Sequence, residues 1–242
     1  MRHTNRASQL LIGLSLLLSA SPLLAAEPIR AEPIQQESAQ VVGELLSRYH
    51  YNNRPAGNAL SRSVYDAYFD ALDPQRYYFT QADIDAFADR RSKLDDEVAD
   101  GRLETAYAIF ERYRERVSER SEYALEQLDR GLDFDGDATF EADRSEADWA
   151  ASTAALDRIW RKRVTNDALK QRLSGRDAEA INDSLAGRYE RLPRTLAQYE
   201  PEDVFQTFMS AWAGEYDPHS SYMSPRRSEN FDINMRLSLE GI

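Results

Sequence analysis

Cysteine is absent from the 242-residue sequence. Its absence excludes disulfides, thiolate metal sites, a cysteine nucleophile and a lipid-modified N-terminal cysteine. Any fold must therefore be held by its core alone. Lysine is almost as scarce: Lys93, Lys162 and Lys170 are the full set. Each lies on a stretch with amphipathic helical spacing, where a lysine is ordinarily a solvated charge. Histidine occurs at positions 3, 50 and 219 only. His3 belongs to the extreme N-terminus, and His50 closes a helical stretch, where a cation meets the helix dipole favourably. No Gly-x-Ser-x-Gly motif is present, and no serine has a base and an oxyanion donor pair evident beside it. The residues call for no cofactor, and internal repeats are lacking.

What is abundant is acid. Forty-two Asp and Glu against thirty Lys and Arg give a formal charge of −12. A surface of that sign repels nucleic acid and anionic membranes. With 42% hydrophobic and 30% charged residues, the composition is that of a soluble globular protein. The segment 131–148 is the most acidic and turn-rich. Its run from Asp133 through Asp135, Gly136 and Asp137 opens like a calcium loop. The glycine, however, stands at loop position 4 rather than 6, and position 12 is Arg144 rather than a glutamate. An acidic turn is the better reading, and no metal is expected. The one basic run, Arg158, Arg161, Lys162 and Arg163, lies on a helical stretch among many acids and reads as a solvated face.

Residues 1–26 have the pattern of a cleavable secretory signal. Arg2 and Arg6 open it, Leu10 to Leu18 form an apolar stretch, and Ala25 and Ala26 offer small residues for processing. The apolar run is too short for the roughly 20 residues of a spanning helix. The expectation is export to the periplasm, with no membrane span after cleavage. Processing removes Arg2 and Arg6 and no acid, taking the charge from −12 to −14. Residues 27–36, with Pro28 and Pro33, read as a loose leader.

From 37 to 225 the apolar residues recur at helical spacing, and the fold class expected is mainly α, a multi-helix domain. Val41, Val42, Leu45, Leu46 and Tyr49 mark a first helix. Leu60, Val64, Tyr68, Phe69 and Leu72 mark a second, stopped at Asp73-Pro74. Thr80 with Asp83 three residues on predicts a helix start, and one helix is expected to run through Ile84, Phe87, Leu94 and Val98. After Gly101, a long helix carries Tyr107, Phe110, Val117 and Leu128. Trp160 and Val164 mark the next, then Ile181, Leu185 and Tyr189, where Pro193 is expected to kink or end the helix. Pro201, with Glu202 and Asp203 behind it, starts a helix with a heavy face of Val204, Phe205, Phe208, Met209 and Trp212. In the last stretch the period changes. Met235, Leu237 and Leu239 alternate with polar residues, which is strand spacing, so residues 226–242 are expected to be a linker followed by a strand.

The run from Asp217 to Pro225 is the most unusual segment. Asp217 before Pro218 cannot stay helical, Ser220 and Ser221 can bond back to the backbone, and Pro225 fixes a second turn. His219 lies between an acid and a serine, but sequence adjacency does not give triad geometry.

This run, with Leu237 to Ile242 after it, resembles the passage leading into the PDZ domain of tail-specific (carboxy-terminal processing) serine proteases. Trp160 with Val164, Leu173 to Gly175, Arg188-Tyr189, Glu202 to Phe205, Asp143 to Ser145 and Trp149 are similar to the helical N-terminal domain of the long periplasmic members. The resemblance covers nearly all of the chain after residue 26. It implies a helical domain followed by a PDZ domain, a Ser/Lys-dyad protease domain and usually a C-terminal helical extension. It implies a hinge at Asp217, Pro218, His219, Ser220, Tyr222 and Pro225, a first PDZ strand in 226–242, and no catalytic residue in this chain. The partners implied are protein substrates with accessible C-termini, read by the PDZ domain, together with a periplasmic adaptor protein. Three readings stand at this point: an N-terminal docking piece of such a protease, a stand-alone non-catalytic periplasmic adaptor or binding module, and an unrelated exported helical protein with a metal or ligand site.

Overall fold

The computed structural model describes residues 27–239, and side chains from 27 to 236. The expected signal, 1–26, lies outside the described residues. In chain order the helices are α1 (Pro33–Tyr49), α2 (Asn58–Leu72), α3 (Gln81–Ala86), α4 (Leu94–Ala99), α5 (Glu104–Arg130), α6 (Thr153–Leu173), α7 (Ala178–Leu196), α8 (Pro201–Gly214) and α9 (Pro225–Leu239). A 3-10 turn, Ala88–Arg90, separates α3 from α4. Among the described residues there is no sheet, only an isolated parallel bridge between Thr80 and Ala150. No helix among them is long and apolar enough to cross a membrane.

Two hydrophobic cores are strung along α5. The first gathers Tyr68 and Phe69 of α2, Tyr107 and Phe110 from the first half of α5, and Phe205, Phe208 and Trp212 of α8. The second gathers Ala124 and Leu128 from the last half of α5, Trp160 and Val164 of α6, and Ile181, Leu185 and Tyr189 of α7. At 27 residues, α5 is about 40 Å long at 1.5 Å per residue, enough to serve both. Two of the buried tyrosines have partners for their hydroxyls: Tyr68 donates to the Ala106 carbonyl at 3.2 Å and Tyr107 to that of Pro201 at 2.8 Å.

The connection between α2 and α3 joins the cores. Asp73, 1% exposed, accepts the backbone N–H groups of Tyr77, Tyr78 and Phe79 at 2.8, 2.7 and 3.0 Å. Burial pushes its carboxyl up, and the three donors oppose that shift. Tyr77 packs into the second core and Phe79 into the first. The Trp160 indole N–H donates to the Tyr77 carbonyl.

Helix starts follow local chemistry. Thr80 and Asp83 form the expected reciprocal cap of α3, with the Thr80 N–H donating to Asp83 at 2.8 Å. Pro201 begins α8, and Asp203 accepts the Glu200 N–H at 3.0 Å.

Five expectations need correction. Residues 27–36 are not a loose leader: α1 starts at Pro33, Ile29 and Ala31 pack on the first core, and the Ile29 N–H donates to Glu111 at 2.8 Å. On α1, Gln35, Ala39 and Gly43 are buried and Val42 and Leu46 pack half-buried on the first core, while Val41, Leu45 and Tyr49 are exposed. A Cβ on Gly43 would meet Val98 at 2.7 Å, so glycine is what lets α1 approach α4. The single helix expected over Ile84 to Val98 is two short helices and a 3-10 turn. Pro193, expected to kink or end α7, does not end it: the helix continues to Leu196 against α5. Finally, residues 226–239, expected as linker and strand, are helical in α9. An isolated strand leaves its N–H and C=O groups unpaired, whereas a helix pairs them within the segment.

Asp73→Ala strands three N–H donors, and about 2–4 kcal/mol of stability should go with them. Asp73→Asn keeps an acceptor oxygen and should lose less. Urea unfolding of the chain checks this, and a change in Asp73→Ala below about 0.5 kcal/mol, the scale of an ordinary surface substitution, would contradict it.

Candidate functional site

The segment after α8 is the strongest functional candidate in the sequence, and it does not leave the domain freely. Tyr216 is 2% exposed, and its carbonyl accepts from Asn52 Nδ2 at 2.7 Å. Asp217 accepts a hydrogen bond from the Tyr51 hydroxyl, and the His219 N–H donates to its Oδ1 at 2.7 Å. Its carbonyl accepts the Ser220 N–H at 2.9 Å, closing the turn that Pro218 begins. Arg54 reinforces the junction from the α1–α2 connection. Its Nη1 donates to the Glu215 carbonyl and meets the Glu215 carboxylate at 2.9 Å, and its Nη2 donates to Ser63 at 3.0 Å.

Further on, the Tyr222 ring stands edge-on to Phe205 with centroids 5.0 Å apart, and its hydroxyl donates to Glu202 at 3.3 Å. Gln35 of α1 donates to the other oxygen of Glu202 at 2.9 Å. Ser210 donates to the Tyr222 carbonyl at 3.2 Å. Ser224, 5% exposed, starts α9. Its hydroxyl accepts the Arg227 N–H at 3.4 Å and its carbonyl the Ser228 N–H at 2.9 Å. Pro225 comes next as the first residue of α9.

The six residues singled out thus divide. Asp217 and Tyr222 are tied to the domain, Ser220 and His219 bond only to Asp217 within the turn, and Pro218, His219 and Pro225 are exposed. The backbone N–H of His219, not its ring, bonds to Asp217, so Asp217, His219 and Ser220 form a turn and not a relay from carboxylate through imidazole to hydroxyl. His50 caps the end of α1, with its ring 4.6 Å from Tyr51 and 5.5 Å from Tyr216. Among the described residues no group of three or more His, Cys, Asp or Glu is arranged to hold a metal.

Tyr51, Asn52, Arg54, Gln35 and Glu202 are not legible in the sequence as parts of this junction. The stretch 52–57 reads as a turn, and only its aromatic and arginine neighbours, unusual in a mere connection, could draw notice. Asp217 is held below the usual carboxylate range, first by the Tyr51 hydroxyl and then by the His219 N–H. Tyr51 is pushed up by the same bond.

Residues 41–226 match the family model described as the tail specific protease N-terminal domain, and that match stops at the start of α9. Over 236 residues the chain is 33% identical to the tail-specific protease of Haemophilus influenzae (strain ATCC 51907 / DSM 11121 / KW20 / Rd). The alignment covers 93% of this chain and 34% of that relative, so the chain spans about a third of its length.

A depressed carboxylate pKa means that the Tyr51–Asp217 contact is complete above the unfolded value of about 3.9 and is lost as pH falls through the lower folded value. Tyr51→Phe should bring the Asp217 midpoint up toward that ordinary value, as read by carboxyl-carbon NMR. A midpoint unmoved by the substitution would show that the contact does not exist in solution.

Proposed function

Because the chain belongs to the tail-specific protease family and supplies its N-terminal domain, we propose that it is the substrate- and partner-docking scaffold of a periplasmic serine endopeptidase that degrades proteins from recognised C-termini. The Ser/Lys dyad and the C-terminus-reading PDZ domain belong to the part of such a protein beyond this chain. The observation that carries the reading is the exit from α8. Asp217 and Tyr222 are bonded back to the α1–α2 connection and to α8. A module after this point would inherit a defined position instead of hanging from a loose linker. In this reading Asp217 to Pro225 is the hinge, with Pro218 and Pro225 limiting its freedom. A periplasmic adaptor would bind the same helical domain.

The test is binding without turnover. A fluorescent, permanently unfolded polypeptide should bind the chain with a Kd of about 10 μM, at the weak end expected when a disordered segment must be ordered. No fragment should accumulate. Absence of binding at about tenfold higher concentration would sink the docking role, and cleavage surviving a contaminating-protease control would sink the non-catalytic one.

Export belongs to the same proposal. Expressed with its own N-terminus in a Gram-negative host, the chain should be recovered from the periplasm lacking its first 26 residues or so. Mass spectrometry that finds only an intact Met1 form in the cytoplasm contradicts it.

A further inference from the structure

The residues just after the expected signal lie along α5. Gln36 stands beside Gly101, shortly before that helix begins, and the Ile29 N–H reaches Glu111 at 2.8 Å. Followed backwards, the chain therefore climbs α5 as it nears residue 27. Ile29 and Ala31 pack on the first core along this path. From Ile29 back to Glu27, two residues of extended chain cover about 7 Å. From Glu111 to Glu115, four residues of helix cover about 6 Å. Glu27 thus comes level with Glu115, and Pro28 and Glu115 line the same hollow of about 600 Å³.

That hollow is short of positive charge. Its carboxylates are Glu104, Glu111 and Glu115, and its cations are Arg30 and Arg112. Glu111 is already answered by Arg114 at 2.9 Å and by the Ile29 N–H. Arg112 is divided: its Nη1 meets Glu115 at 2.7 Å, while its Nε serves the buried Asp83 at 2.5 Å. The Glu115 side chain is 60% exposed, and Arg112 bonds to its Oε2, which leaves Oε1 for another donor. The side chain of Glu27 adds one more negative charge at this end. While residues 1–26 are attached, the nitrogen of Glu27 is a neutral amide. Processing at the expected site turns the same atom into an ammonium, since an α-amine with an ordinary pKa of about 7.7–8.0 is mostly protonated at neutral pH.

We propose that signal removal completes the domain: the α-ammonium freed at Glu27 docks on Glu115 of α5 and fastens residues 27–31 over the hollow. The inference rests on the export reading and adds a structural consequence to it, because only processing creates this cation. A neighbouring carboxylate favours the charged amine and raises its pKa. The contact is therefore complete below the ordinary amine value and is lost as pH rises through the raised one.

Two chains, 27–242 and 25–242, are released from a fusion by a protease that leaves no extra residue. The second carries its α-amine two residues further out and an amide at Glu27. Glu115→Gln, at an exposed position, should lower the α-amine midpoint of 27–242 by about 0.5 pH unit, a threefold change in coupling. It should lower that of 25–242 by less than about 0.2 unit. The midpoints are read by NMR of the terminal Cα–H, and the larger shift should shrink as salt rises. Hydrogen exchange at the Ile29 N–H should be about threefold slower in 27–242 than in 25–242, and Glu115→Gln should remove that difference with the circular dichroism unchanged. Equal shifts in the two chains, or none in 27–242, overturn the proposal. Mass spectrometry of the exported chain separates the two readings. An exported chain that begins at Glu27 but lacks the shift sinks this inference and leaves export standing. An exported chain that keeps Met1 sinks the export reading, and this inference with it.

Discussion

Asp73 decides how the two halves of the domain meet. Its carboxylate gathers three successive N–H groups, from Tyr77, Tyr78 and Phe79, and so fixes a tight path for the chain between α2 and α3. That path places Tyr77 in one core and Phe79 in the other. Trp160 then grips the Tyr77 carbonyl from the far side. Helix α5 passes through both cores, but a helix alone does not determine how elements around its two ends are rotated relative to each other. The short segment held by Asp73 supplies that second point of attachment.

A second buried carboxylate extends the same logic. Asp83 caps α3 through Thr80 and also accepts from Arg112 at 2.5 Å and from Arg116 at 2.8 and 3.0 Å, both arginines on α5. Burial would raise its pKa, but the bonds from Arg116, Thr80 and Arg112 outweigh burial and hold it below the usual range. One side chain therefore ends a loop, starts a helix and locks that helix to α5. The surface pairs are different in kind. Arg48–Glu44 and Arg194–Glu190 join exposed groups one turn apart on a single helix, and such pairs contribute roughly 0–1 kcal/mol. In a chain with no cysteine, the connections that matter are these few buried carboxylates and the packed aromatics around them.

Local rules make much of this legible. Helical periodicity reveals the long helices, because each presents an apolar face. The caps at Thr80 and Pro201 can be read because capping chemistry acts within four residues. What stays hidden depends on partners distant in sequence. Of the apolar residues of α1, Val42 and Leu46 pack on the first core, but Val41, Leu45 and Tyr49 are exposed, and the closest approach is made at Ala39 and Gly43, where small size lets the helix reach Val98. Pro193 reads as a kink or a stop, because its missing N–H and its ring act locally against a helix. The packing of α7 along α5 carries the helix past it. Asp73 looks like half of a helix-stopping Asp-Pro pair, and nothing local distinguishes that from a buried acceptor of three hydrogen bonds. At the exit, Asp217 to Pro225 is legible as a turn, but its anchors in Tyr51, Arg54 and Glu202 are not.

The tail shows the same limit from the other direction. Alternation of Met235, Leu237 and Leu239 with polar residues is a property of the sequence, and strand pairing is a property of two segments together. Ser224 offers α9 a start, with its hydroxyl and carbonyl taking the first backbone donors. Once started, a helix closes its own hydrogen bonds. Residues 225–236 are exposed throughout, so little tertiary packing holds the segment in that form, and most helical stability in proteins comes from packing of an apolar face. The conformation of this stretch is therefore set by what pairs with its backbone, not by its side-chain pattern. For the exit from α8 the opposite holds. There the chain is bonded to the α1–α2 connection at Tyr51 and Asn52 and to α8 at Glu202 and Ser210. The direction in which it leaves the domain is fixed by those four partners, even though the form of the segment beyond Pro225 is not.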